Sequence, residues 1–600
     1  MRPPRLLLPA ILGILPTVAP LSPAAGEERS AFFGDIHVHT AYSFDAFSFA
    51  TRTTADDAYS FAAGEAILHP SGNEIQLDRP LDFYAVTDHA AYLGVLRALA
   101  DPGHPLADDP DVERYVDPTT VKARGGYLPG ASDFVAGHAD PEVVRTAWEE
   151  IVAAAERHYR PGTLTTFIAY EYTPSRDGGN LHRNVIFRGG TAPREPFSRL
   201  DSPNPEDLWS WMDRLRDQGI EALAIPHNSN GSDGWMFQTE TFAGGPLDAD
   251  YATKRMRNEP LVEITQVKGT SETHPVLSPN DEWADFEIFP FRVGQWARSR
   301  PRGSYVRQAL LDGIAFQSRE GFNPYRLGFV GASDTHNSGF VFDEEKHTGK
   351  VGVHDFDPVS RGSVPVDIVD GVPTYREVFR RFYSNSGLTG VWAEENSREA
   401  IYGALRRKET FATSGTRIRL RTFAGYGLPD DLHLRDDMAA VGYERGVAMG
   451  GELDADQDGN PTFAVRALRD PSGAPLQRLQ IVKGWVKDGD QHEQVFDVAC
   501  SDGLQPDPGT HRCPDNGAAV DLSNCAISQD AGDAELGATW SDPGFDPGQH
   551  AFYYVRVLEN PTCRWSTWDA VKAGVAPRVS LPATIQERAW SSPIWIAPGS

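Results

Sequence analysis

Two histidines separated by one residue, His37 and His39, end a short apolar run that contains Phe32, Phe33 and Ile36. On a β-strand alternate side chains share a face, so both imidazoles can reach one metal ion. More residues of metal-binding type follow apolar runs further along. Asp88 and His89 follow 82–87, Glu171 follows 165–170, His182 precedes 185–187, His227 follows 222–225, and Asp334 with His336 follows 327–330. One buried histidine is more often a hydrogen-bonded packing residue than a ligand. Recurrence at the ends of apolar strands is instead the pattern of a metal site gathered from several strands.

The elements that must position these residues read as α/β over 31–422, with strands at the runs above and at 262–264. A helix is expected over 140–158, with Asp140 as N-cap and Pro141 in its first turn, and another over 204–218, where Pro205 and Glu206 open the helix. In an α/β barrel, polar residues placed just after strands gather at the active-site end. Long irregular stretches at 101–132, 230–257 and 272–287 could wall a pocket, with Trp235, Phe237, Phe242 and Trp283 on its lining. Beyond 425 the text changes to Gly/Pro/Asp-rich turns between short strands, clearest at 462–465, 476–482 and 552–557, which reads as an all-β, sandwich-like appendage.

Six hundred residues exceed what one core usually organises, so two domains are expected. With 56 basic and 84 acidic side chains the formal charge is −28, which repels nucleic acid and anionic membranes. Arg2 and Arg5, an apolar run over 6–21 and small residues up to Gly26 form a secretory leader, expected at 1–25. Pro9, Pro16 and Pro20 break that run, which is short for a membrane span. A periplasmic or secreted location follows, with no stable membrane insertion once the leader is removed. The 4 cysteines, Cys500, Cys513, Cys525 and Cys563, lie near the C-terminus without a Cys-x-x-Cys pair. Two disulfides are expected, their connectivity open. Residues 454–459 resemble the start of a calcium loop, but Val465 stands where an EF-hand needs glutamate, so a polar turn is the better reading.

The motifs 37–40 with Ser43 and Asp45, 86–89, 169–171 with His182, 225–228 and 331–336 resemble those of the polymerase and histidinol phosphatase (PHP) metallohydrolases. Residues 404–413 look like the terminal barrel element of that superfamily, and 33–46 together with 590–595 look closer still to the DUF3604 branch. The resemblance implies a distorted (β/α)7 PHP-type barrel with long loop insertions at 26–424, followed by a smaller all-β accessory domain at 425–600. It also implies two or three divalent metals, zinc, manganese or iron. His37, His39, Glu171 and Asp334 would hold one, and Glu171 would bridge to a second on His182 and His227. His89 and His336 would hold a third, with Asp45 or Asp88 nearby; the Ser43-Phe44-Asp45 spacing is one residue longer than the usual one.

Such metals can share a hydroxide near neutral pH and neutralise the oxygens of a phosphoryl or carbonyl centre. The expected activity is therefore metal-dependent hydrolysis, a phosphoesterase first, of a small anionic or ester substrate. Glu171 and Asp88 are the candidate catalytic carboxylates, Asp88 as a proton shuttle. Arg183, Lys268 and Arg176 are candidate anion-binding residues, and Glu272 is placed near the site because it follows the strand at 262–265. The alternatives are hydrolysis of carboxylic esters, amides or carbamates at the same metals, and a non-catalytic metal- or anion-binding protein on a degenerate barrel.

Overall fold

The computed structural model describes residues 29–598 apart from 118, 120–130, 294 and 456–458. The leader expected at 1–25 and the middle of the acidic turn at 454–459 lie outside the described residues. Strands β1 (Ser30–Val38), β2 (Phe83–Val86) and β3 (Thr165–Phe167) lie side by side in parallel. Gly34 permits the first of these contacts: a Cβ there would stand 2.3 Å from the Phe83 carbonyl oxygen. The chain turns at Ile168, and β4 (Ala169–Tyr172) leaves that sheet to pair with β5 (Arg183–Phe187), which in turn pairs with β6 (Ala222–Pro226). β7 (Leu261–Gln266) and β8 (Gly328–Gly331) are parallel neighbours. Two parallel bridges, Val38 with Thr335 and His89 with Glu171, join strand ends from different sheets.

The helices obey local rules. In α1 (Pro141–His158) the Asp140 side chain accepts from the Glu142 N–H at 2.8 Å, and Trp148, Ile151 and Ala155 share the buried face. Asn204 caps α2 (Pro205–Arg216) in the same way, accepting from Glu206 N–H at 3.0 Å. α3 (Val306–Glu320) shows no amphipathic stripe over 306–316 because every residue there is buried; Leu310 and Leu311 pack in one cluster with Val482 and Phe552 of the C-terminal region.

The architecture is mixed α/β, but the regular alternation of a (β/α)7 barrel is not reproduced. β5 runs antiparallel to both its neighbours, and β9 (Leu388–Ala393) runs antiparallel to β1. Antiparallel strands can be joined by a short connection, so no crossover helix stands between β4 and β5.

The C-terminal region is built mainly of strands. β10 (Thr410–Thr413) is followed by β11 (Arg419–Gly425), which spans the expected boundary and pairs with β12 (Thr462–Leu468). β13 (Leu476–Lys487), β14 (Asp490–Cys500) and β15 (Ala551–Glu559) form a second ladder. β16 (Arg588–Ser591) pairs with β15 and with β10, so hydrogen bonding runs without a break from β1 through β9 and β10 into this region. Disulfides join Cys500 to Cys513 and Cys525 to Cys563, which selects one connectivity of the three. Among the described residues no helix is long and apolar enough to cross a membrane.

Candidate metal centre

β1 delivers His37 on its last turn of pleat and His39 one residue past its end, both on one face and both buried. β2 ends before Asp88 and His89, β4 carries Glu171, and β6 ends before His227. Asp334 and His336 follow β8, where Asp334 adopts φ +56°, a left-handed conformation that asparagine and aspartate tolerate better than most residues. Asp45 comes from the one-turn helix Phe44–Ser48.

Glu171 is the centre of the arrangement. Its Oε2 lies 3.7 Å from His37 Nε2, 3.2 Å from His39 Nε2 and 3.0 Å from His89 Nδ1. Its Oε1 lies 2.6 Å from His182 Nδ1 and 3.2 Å from His227 Nε2. Asp334 Oδ1 stands 3.5 Å from both His37 Nε2 and His39 Nε2. A third group forms around Asp45, whose Oδ2 is 3.0 Å from His336 Nε2 and 3.3 Å from His89 Nε2. The structure thus brings together all nine residues expected as ligands, Asp45 included.

The donor set fits divalent cations. His37 Nε2 and His39 Nε2 are buried nitrogens without a hydrogen-bond partner among the described residues, a rare and costly condition for a polar atom unless something else occupies its lone pair. The second nitrogen of each β1 histidine is held: His37 Nδ1 by Glu263 at 2.9 Å and His39 Nδ1 by Ser43 Oγ at 2.9 Å. Such partners fix the ring and its tautomer in metal-binding histidines. Among the described residues, the three-residue groups that could each hold an ion are His37–His39–Glu171, Glu171–His182–His227, His39–His89–His336 and His37–His227–Glu263.

Electrostatics divide the rings. Burial holds His37 well below the usual imidazole range, pushes His182 down to about 4, and with the Lys350 charge pushes His336 to about 3. These rings stay neutral, as ligands must. Burial opposes a charged His39 and a charged His89, but Asp334 and Glu171 overcome it at His39 and raise that ring, and Glu171 and Asp45 raise His89 to about 10. Burial also opposes the Asp334 carboxylate, yet Lys268 and Lys350 hold it well below the usual range.

The cluster lies at the base of a cavity of about 690 Å³. Lys268 lines it, but its ammonium is bonded to Asp334. Other expectations are corrected by the packing. Asp88 does not face the cavity: its carboxylate accepts from Thr40 N–H and Oγ1, both at 2.6 Å, and from Ser43 N–H at 3.1 Å and Oγ at 2.7 Å. It braces the loop that carries Ser43 and so orients His39. Arg183 is buried against Glu259 at 2.8 Å, and Arg176 stacks 4.0 Å over Trp235. Glu272 is directed to the C-terminal region, where it meets Arg307 at 2.7 Å, Tyr554 OH at 2.6 Å and Trp590 Nε1 at 2.7 Å. The four aromatics expected as a wall do not line the cavity; Phe49, Trp296, Phe379 and Tyr383 do.

Sequence reasoning missed Glu263, Lys350 and Arg380. Glu263 left a signal, an acid in the middle of the apolar strand β7. Lys350 Nζ lies 3.0 Å from Asp334 Oδ1 and 2.7 Å from His336 Nδ1, but it sits in a loop without a pattern.

The family described as protein of unknown function (DUF3604) matches residues 26–598, and the chain belongs to that family. No curated protein matches it. A solved structure from Bacteroides vulgatus, a two-domain protein containing a predicted PHP-like metal-dependent phosphoesterase, resembles it at 11% identity and a TM-score of 0.30, over 88% of this chain and 90% of that one.

Proposed function

We propose that this member of the DUF3604 family is a secreted metal-dependent hydrolase, a phosphoesterase first, acting in the cavity above Glu171. The observation that carries the reading is the division of labour at Glu171, with His37, His39 and His89 on Oε2 and His182 and His227 on Oε1. A carboxylate so divided suits two cations side by side, and Asp45 with His89 and His336 suits a third. When bound, zinc, manganese or iron would activate water and neutralise the oxygens of the group under attack.

The chain's own residues do the rest. Asp88 fixes the loop beyond His39, Glu263 and Ser43 set the two β1 rings, and Lys268 and Lys350 keep Asp334 ionised and in place. The meeting of β1, β2, β4 and β8 at their ends supports a PHP-type barrel distorted by antiparallel strands. The two disulfides and the apolar N-terminal run support export.

The test is metal analysis together with assays of the metal-reconstituted protein on an aryl phosphate, a phosphodiester and a carboxyl ester. Phosphate ester turnover that disappears in His37→Ala is the expected result. Turnover of the carboxyl ester alone would move the activity to acyl hydrolysis. No turnover above the His37→Ala control, with metal bound, would leave a binding protein.

A further inference from the structure

The one-turn 3-10 helix Phe379–Phe382 brings Arg380 into the cavity wall. Arg380 is only 9% exposed, yet its guanidinium makes no hydrogen bond or ion pair with any described residue, and its Nε is buried without a partner. The contrast with most other buried arginines is sharp. Arg183, Arg255, Arg307, Arg361 and Arg556 each meet a carboxylate within 3.3 Å. Asp355, which feels the Arg380 charge, spends its oxygens on the N–H groups of Lys350 and Val351 at 2.9 and 2.8 Å. A guanidinium offers five donors in a plane; here the one on Nε is buried and unmet, which is unfavourable, and the four on the Nη atoms make no hydrogen bond to a described residue and can meet an anion that enters the cavity.

Around it the cavity is aromatic. Phe379 lies 5.7 Å from Trp296 and 6.1 Å from Tyr383 between ring centroids, and Phe49 lies 5.9 Å from His336 of the metal centre. One cavity therefore joins a cation receptor, a flat apolar wall and the candidate metal ligands.

We infer that Arg380 is a substrate-binding residue for an oxyanion and that the aromatic wall takes the group esterified to it, so the substrate class is an aryl phosphate monoester. The inference rests on the hydrolase reading above. In its hydrolysis the oxygen of water bonds to phosphorus, the bond from phosphorus to the aryl oxygen breaks, and a proton passes to that oxygen to release a phenol.

Binding of phenylphosphonate, which has no ester to cleave, to the zinc-loaded protein tests this by calorimetry without any turnover. Arg380→Met is expected to weaken it about ten-fold or more, with Arg380→Lys intermediate and the melting temperature unchanged or raised in Arg380→Met. Phenylphosphonate should bind more tightly than methylphosphonate, and Phe379→Ala should narrow the difference. Wild-type affinity in Arg380→Met, or equal affinity for the two phosphonates, would overturn the proposal. So would a lowered melting temperature in Arg380→Met, because a structural arginine destabilises when removed and a waiting receptor does not. Because nothing is turned over, a protein that binds phenylphosphonate through Arg380 but hydrolyses nothing would refute the hydrolase and leave the ligand class standing.

Discussion

At the scale of single residues, Glu171 and Asp88 show how two buried carboxylates of similar sequence context take different work. Glu171 is surrounded by imidazoles, five of them within 3.7 Å, whereas Asp88 is surrounded by backbone and hydroxyl donors. Glu171→Gln keeps the shape and removes the charge, so metal content measured after dialysis is expected to fall by more than half, with activity below a tenth of wild type. Asp88→Asn turns one acceptor oxygen into an amide donor that faces donors. It is expected to destabilise the fold by about 1–3 kcal/mol in urea unfolding and to lower metal affinity roughly 10–100-fold through His39. A proton shuttle at Asp88 would instead alter the pH profile of turnover while leaving affinity untouched. Both residues were legible as polar positions after strands, but which way each side chain points was not, because strand ends are where the two-residue alternation stops.

At the scale of elements, local chemistry accounts for α1 and α2. Their caps and first-turn prolines are written in a few adjacent residues, and the structure places them where these signals stand. Strand direction is different. Nothing local distinguishes the antiparallel β5 from a parallel strand, since direction depends on which neighbour the chain returns to. β1 depends on one such long-range contact at Gly34, so Gly34→Ala is expected to lower stability by about 1–3 kcal/mol and to reduce metal retention with it. Denaturant unfolding alongside metal analysis checks this, and a variant as stable as wild type would mean that β1 and β2 can separate without loss.

At the scale of the whole molecule, the C-terminal region is tied to the α/β part by a shared sheet and by buried charges. Arg556 reaches Glu272 at 3.2 Å and Asp281 at 2.8 Å across that join, and Arg307 meets the same two carboxylates from the α/β side at 2.7 and 2.8 Å. Glu587, bonded to Ser414 Oγ, is pushed up to about 7 by burial. A carboxyl whose folded pKa lies above its unfolded value stabilises fully below the unfolded value and loses that contribution as pH rises through the folded one. The Glu587 contribution should therefore decline between about pH 5 and 7, and Glu587→Gln should remove that decline from the melting temperature measured across the range. An unchanged slope in Glu587→Gln would place the decline elsewhere.

The amino-acid sequence by itself determined the residue types of the metal centre, the caps of its helices and the presence of four cysteines for two disulfides, because each is carried by chemistry within a few residues. Only the tertiary structure decided that Glu171 divides its oxygens between three imidazoles on one and two on the other, that Glu272 and Arg183 serve packing, and that Arg380 stands buried with no hydrogen bond or ion pair to any described residue. Those facts depend on distances between residues far apart in the chain, and a charged side chain reads the same in sequence whether its neighbour in space is a counter-ion, a carbonyl or an open cavity.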